Sequence, residues 1–303
     1  MSERDKEVKK KELILLLSVI SFLLFAYFSA EIDWLKDIVL LVNLIASMIA
    51  IFAGILALVR FYTNKTRLTF LLLGFGFLGI GLIEVVNILA LTDGFSTLLS
   101  YTPSEIYPLS MILSNIFMAL VIFFSWFVRK DYQKGNTMKE RLIFLSIFFL
   151  LLLILGFFTF FTELLSGYQE YVPALIGGIL SMLLYTFSLV GYFRSNSWKY
   201  ETFDYWLIFS IVFILISTVF FLPLFNLEYD LALKFSTFGK LFSYIFLLIG
   251  FLVSIYEMFK REMEYLEELK CKNEQLLLAK NKVEEAYMVL RKEKLDLKKK
   301  NED

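Results

Sequence analysis

Residues 68–91 read LTFLLLGFGFLGIGLIEVVNILAL, 24 positions with a single charged side chain, Glu84. As a helix rising about 1.5 Å per residue, such a run crosses the roughly 30 Å hydrocarbon core of a bilayer. Seven further apolar runs accompany it: Leu13–Ala30, Ile38–Val59, Tyr107–Val128, Leu142–Phe161, Val172–Phe193, Phe203–Leu224 and Phe235–Met258. The whole chain agrees: 58% of its 303 residues are hydrophobic and 20% charged, against roughly 45–50% and 25% in soluble domains. The expected fold is all-α, a polytopic bundle of about eight transmembrane helices followed by a long cytoplasmic coiled-coil helix. The expected segments are a basic N-terminus (1–11), a transmembrane domain (12–258) and a stalk (259–303). The first run is too long for a signal peptide and carries Phe28 where a small residue would precede cleavage after Ala30, so it reads as an uncleaved span.

Basic residues set the orientation. With the N-terminus inside, the inner segments carry Arg4, Lys6 and Lys9–Lys11, then Arg60, Lys65 and Arg67, then Arg129, Lys130, Lys134, Lys139 and Arg141, then Arg194 and Lys199. The outer loops carry Lys36 and Lys234. This asymmetry predicts a multi-pass protein of the cell membrane with both termini cytoplasmic. Pro108 and Pro173 fall near the outer starts of their helices, where a missing N–H costs little, and Pro223 falls at an outer end.

The residue inventory excludes much chemistry. Histidine is absent and Cys271 is the one cysteine. That removes a phosphoacceptor His, His-ligated haem or zinc, Ser-His-Asp catalysis and disulfide or Cys-cluster sites. No catalytic residue, metal site, cofactor or nucleic-acid partner is expected. Gly74, Gly76 and Gly79 spell GxGxxG, but they lie inside an apolar helix rather than at a strand-to-helix turn. They predict helix packing, not nucleotide binding. Ala46, Ala50 and Gly54, and Ala174/Gly178 and Gly177/Ser181, recur at four-residue spacing and predict seams where helix backbones approach closely.

Charges in spanning helices are costly and point to function. Glu84, Asn87, Asn115 and Lys240 all fall within roughly 5–13 Å of the outer boundary when counted along their spans. Asn43, Ser181, Ser217 and Thr218 have comparable depths, and Asp93, Glu105 and Tyr107 border the rim. One reading is an outward-opening polar cavity with Glu84 and Lys240 as an ion pair or ligand clamp. The other is a structural salt bridge with interhelical hydrogen bonds, or a Lys240 that snorkels to the interface.

From Phe259 the composition turns to Lys and Glu, with no Gly or Pro. Leu269, Leu276, Val283, Leu290 and Leu297 recur every seven residues as position d; Phe259, Leu266, Asn273, Lys280, Tyr287 and Lys294 occupy a. Asn273 at a suits a parallel homodimer and fixes its register at some cost in stability. A helix of about 40 residues would reach about 60 Å into the cytoplasm. A single solvated amphipathic helix is the plainer alternative.

The stretch LLLGFGFLGIGLIEVVNILALTDGF, residues 71–95, resembles the membrane-associated sensor domains of the MASE type (third class), found N-terminal to prokaryotic histidine kinases and diguanylate cyclases. The family pattern of an acidic residue, a His three residues on and a Gly-containing turn corresponds to Glu84, Asn87 and Gly94. Its later His and Lys pair corresponds to Thr237 and Lys240, so both histidines are replaced. The resemblance covers about residues 12–260 and implies a sensor coupled through a coiled helix to an output domain.

The expected function is a membrane-integral sensor or signalling module. Its polar cavity would bias a dimeric stalk that engages a cytoplasmic partner such as a kinase or cyclase. The chain as it stands is not expected to be an enzyme, since about 45 residues of heptad helix cannot hold an output domain of 100 or more. The output would lie on another chain, or the sequence is a fragment or a stand-alone relic. The alternatives are a small transporter or permease using Glu84 as an ion site, and a ligand-free anchor or scaffold; no inverted repeat or interrupted span favours the transporter.

Overall fold

The computed structural model describes residues 3–30, 35–63, 67–90, 103–128, 140–152, 171–221 and 229–300. Among these, eight stretches are α-helical. They are α1 (Glu3–Ala30), α2 (Leu35–Thr63), α3 (Leu68–Ala90), α4 (Pro103–Phe127), α5 (residues 140–152), α6 (Tyr171–Arg194), α7 (Thr202–Phe221) and α8 (Tyr229–Lys300). A short 3-10 turn, Ser197–Lys199, joins α6 to α7.

Two helices run past the ends of their apolar runs. The basic segment at the N-terminus is itself helical, since α1 already starts at Glu3. Lys, Glu and Arg are good helix formers and no Gly or Pro interrupts the segment, so the helix continues beyond its apolar part. Similarly, the last apolar run and the Lys/Glu-rich sequence after it belong to one helix of 72 residues. The chain divides into two compact units, Met1–Ser254 and Ile255–Asp303.

In the first unit, α2, α3, α6, α7 and α8 each contain an apolar stretch long enough to cross a membrane, and α4 contributes the shorter Met111–Phe127. The protein is a helical membrane bundle by this length and composition. Its outward side chains fit that setting. Met48, Phe52, Leu82, Ile176, Phe187 and Phe149 are all at least half exposed, an apolar surface that water would penalise and lipid would not.

Helices α2, α3, α4, α6 and α7 pack as successive neighbours, with α2 against α3, α3 against α4, α4 against α6 and α6 against α7. The α2–α3 contact is extensive, and small residues allow it. Ala46, Ala50, Ala53 and Ala57 are fully buried, and a Cβ on Gly54 would stand 2.9 Å from the Gly74 carbonyl oxygen. The GxGxxG glycines serve the same purpose on α3. A Cβ on Gly76 would meet Val121 and one on Gly79 would meet Phe117, both on α4. Gly177 likewise lets α6 approach Ile112.

Helix α8 closes the bundle against α7 and α3. Ser210 and Ser243 hydroxyls are 2.8 Å apart, and Ser217 Oγ donates to the Ser236 carbonyl at 2.6 Å. Such hydroxyl bonds join helices where lipid offers no alternative partner. Phe77 meets Tyr244 edge-on at 5.8 Å between centroids.

Lys11, Arg60, Arg67 and Lys199 gather at one end of the unit. Arg67 forms a two-pronged ion pair with Glu201 and approaches Asp204, while Arg60 donates to Ser254 Oγ at 3.1 Å and covers the Phe70 ring. Asn196 takes the left-handed conformation, φ 55°, which Asn tolerates better than most residues. It ends α6 and sets the turn that buries Trp198.

In the second unit the helix is exposed from Phe259 to Lys292. Leu269, Leu276, Val283 and Leu290 are each more than 60% exposed, and Leu266 and Tyr287 similarly so. Lys272 pairs with Glu268 at 2.6 Å and Lys280 with Glu284 at 3.8 Å, both one turn apart.

Candidate functional site

Glu84 and Lys240 meet. Glu84 lies 17 residues along α3 from Arg67, about 25 Å from the basic end. Lys240 Nζ donates to Glu84 Oε1 at 2.9 Å and to Oε2 at 3.0 Å. Each residue is 1% exposed. A buried charge this deep requires both a counter-charge and hydrogen bonds, because desolvation costs several kcal/mol per ion. Ser114 of α4 supplies one of those bonds, its hydroxyl donating to Glu84 Oε1.

Two tyrosines complete the cluster. Tyr185 of α6 is fully buried, donates to the Asn115 carbonyl at 3.1 Å and lies within electrostatic reach of Glu84. Tyr244 of α8, one turn beyond Lys240, is also fully buried and lies near Glu84, Ser114 and Tyr185. Its hydroxyl lies beside Ser114 and makes no other hydrogen bond among the described residues. Thr237, one turn before Lys240, also buries a hydroxyl with no such partner. The site therefore draws on α3, α4, α6 and α8, centred on a closed ion pair.

Of the residues expected from sequence, Glu84 and Lys240 are brought together. Asn115 is buried on the adjoining helix, and it is its main-chain oxygen that accepts from Tyr185. The side chains of Asn87, Glu105 and Tyr107, and all of Asp93, Gly94 and Pro223, lie outside the described residues. Asn43 is buried on α2, where neighbouring Ser47 donates to the Gly81 carbonyl at 3.2 Å. Ser181 and Thr218 bond back to carbonyls of their own helices, Gly177 and Ile214. Their hydroxyls are satisfied within their own helices and do not join the pair.

Ser114, Tyr185 and Tyr244 were not expected. Two carried a signal: Tyr244 follows Lys240 by four residues, and Tyr185 follows Ser181 by four, so each shares a helix face with a residue already singled out. Among the described residues no group of three or more His, Cys, Asp or Glu could hold a metal. Compared with protein-family models, with curated proteins and with solved structures, the chain matches none.

Proposed function

We propose that this protein is a multi-pass membrane sensor in which the Glu84–Lys240 cluster biases a dimeric cytoplasmic stalk that engages an output partner. The observation that carries the reading is where Lys240 sits. It completes a buried ion pair inside the bundle, and it belongs to the same helix, α8, as the heptad series. A charge pair on such a helix would suit a switch between the closed arrangement and an open one. The hydroxyl of Thr237, which has no partner among the described residues, and that of Tyr244 flank Lys240 one turn to either side and would offer hydrogen bonds to a polar ligand entering from the outer face.

The gathering of Lys11, Arg60, Arg67 and Lys199 at one end supports a cytoplasmic placement of that end. The exposed Leu269–Leu290 series supports a parallel homodimer, which would cover it. The likeness of residues 71–95 to sensor domains of the MASE type points the same way. Because Lys240 already engages both oxygens of Glu84, the carboxylate is poorly disposed to carry a transported cation, which favours the sensor over the permease.

A chimera tests the reading. Residues 1–300 joined to a reporter domain that is active only as a dimer should give an output that changes when Glu84→Gln and Lys240→Met are introduced together. An unchanged output from a folded double variant would leave the pair a structural element only.

A further inference from the structure

Helix α1 meets the bundle at two levels. At its basic end, the Lys11 carbonyl accepts from the Tyr205 hydroxyl at 3.0 Å, and the Lys11 ammonium donates to the Lys199 carbonyl at 3.4 Å and lies over the Tyr205 ring. Eleven residues on, Phe22 packs edge-on against Phe213 and Phe242. Between these levels runs a groove of about 420 Å³, within the range of sites that hold small molecules. At about 1.5 Å per residue its α1 wall, Lys11 to Ile20, is about 14 Å long.

The groove is apolar along its length, and Lys11, Glu12 and Trp198 border one end of it. Leu15, Val19, Phe193 and Ile208 wall it, and Leu16 and Ile20 stand at its rim, half exposed. Those rim residues lie on a helix whose next turns are also outward-facing Leu and Ile, so the groove opens toward lipid rather than water. Trp198, 6% exposed, lines the groove, and its Nε1–H is buried with no hydrogen-bond partner among the described residues. An indole N–H can only donate, so its missing partner is an acceptor. Lys11 borders the same end, and Lys199 lies over the Trp198 ring. Glu12 also borders it and is exposed, but within that turn of α1 Lys9, Lys10 and Lys11 outnumber it.

We propose that this groove holds one anionic phospholipid, with an acyl chain between α1 and α7 and its phosphate at Lys11, Lys199 and the Trp198 N–H. The occupant is fixed by complementarity. The apolar length faces the bilayer, the cations and the orphan donor stand together at the level of a headgroup, and a phosphate oxygen is an acceptor of the kind Trp198 lacks. Basic pockets between helices at the positive end of a membrane protein bind such headgroups by the same forces. The proposal is independent of the sensor reading and uses none of the Glu84–Lys240 cluster.

Native mass spectrometry of the full chain tests it, after delipidation in detergent and titration with phosphatidylglycerol or phosphatidylcholine. The expected result is one phosphatidylglycerol adduct per chain, saturating well before any phosphatidylcholine adduct. Lys11→Gln and Lys199→Gln should each weaken it about fivefold. Trp198→Phe, which keeps the ring and removes the N–H, should weaken it about threefold. Val19→Trp should fill the groove and abolish the adduct with the melting temperature retained. Should that variant not fold, the Trp198→Phe and lysine variants decide. Equal binding of the two lipids, an adduct indifferent to the lysine and Trp198 substitutions, or displacement by inorganic phosphate would overturn the proposal.

Discussion

Lys240 Nζ lies 2.9 and 3.0 Å from the two oxygens of Glu84, tying α8 to α3 across 156 residues of chain. Both side chains are buried, so removing either partner strands a charge, whereas removing both strands none. Glu84→Gln or Lys240→Met alone should each destabilise the protein by about 3–5 kcal/mol, and the double variant should recover much of that loss. Thermal melting in detergent, arranged as a double-mutant cycle, reads the coupling. Additive single losses would mean that the two residues do not act as a pair.

Ser114 donates to the same carboxylate. Hydrogen bonds to charged groups contribute about 1.5–3 kcal/mol, so Ser114→Ala should lower stability by that amount. The loss should shrink in a Glu84→Gln background, because the neutral amide is a weaker acceptor. An equal loss in both backgrounds would assign Ser114 a packing role instead.

The orientation has its own test in single cysteines placed in a Cys271→Ser background. Ser96→Cys and Ser166→Cys should react with a membrane-impermeant maleimide added to intact cells, and Asn136→Cys only after the membrane is opened. Labelling of Asn136→Cys from outside would contradict the inward N-terminus that the basic residues indicate.

For the stalk, the heptad assignment puts Leu276 at d and the native Cys271 at f, away from the seam. Leu276→Cys should form an intermolecular disulfide under mild oxidation in membranes, and Cys271 should not. Stronger crosslinking at Cys271 than at Leu276→Cys would displace the seam from the a and d positions.

The pairing of Glu84 with Lys240 was legible in the sequence because each is a charge inside an apolar run, and counting along the two spans gave them matching depths. A charge in lipid demands a partner, so the demand itself is a signal. Ser114 gave none. A hydroxyl in a spanning helix can satisfy itself on its own backbone, as Thr218 does on Ile214, so its presence does not reveal which neighbour it serves. The packing glycines were legible for a different reason: Gly54, Gly74 and Gly76 stand at intervals that place them on faces where another helix must come close. The start of α1 at Glu3 was hidden because hydropathy marks where a helix enters lipid, not where its hydrogen bonding begins. The left-handed Asn196 and the burial of Trp198 depend on how α6 and α7 meet, a tertiary fact that local sequence does not carry.

The central claim is that the buried pair sets the state of the stalk. The most direct measurement compares disulfide yields at Leu276→Cys, on the seam, and at Ala279→Cys, beside it at g, in membranes and in a Cys271→Ser background. Each is measured with the native pair and with Glu84→Gln/Lys240→Met. Coupling between distant sites usually amounts to about fivefold or more in an equilibrium. The ratio of the two yields should shift by at least about fivefold when the pair is replaced. A ratio that stays the same, in a double variant that melts as a folded protein, would contradict the claim.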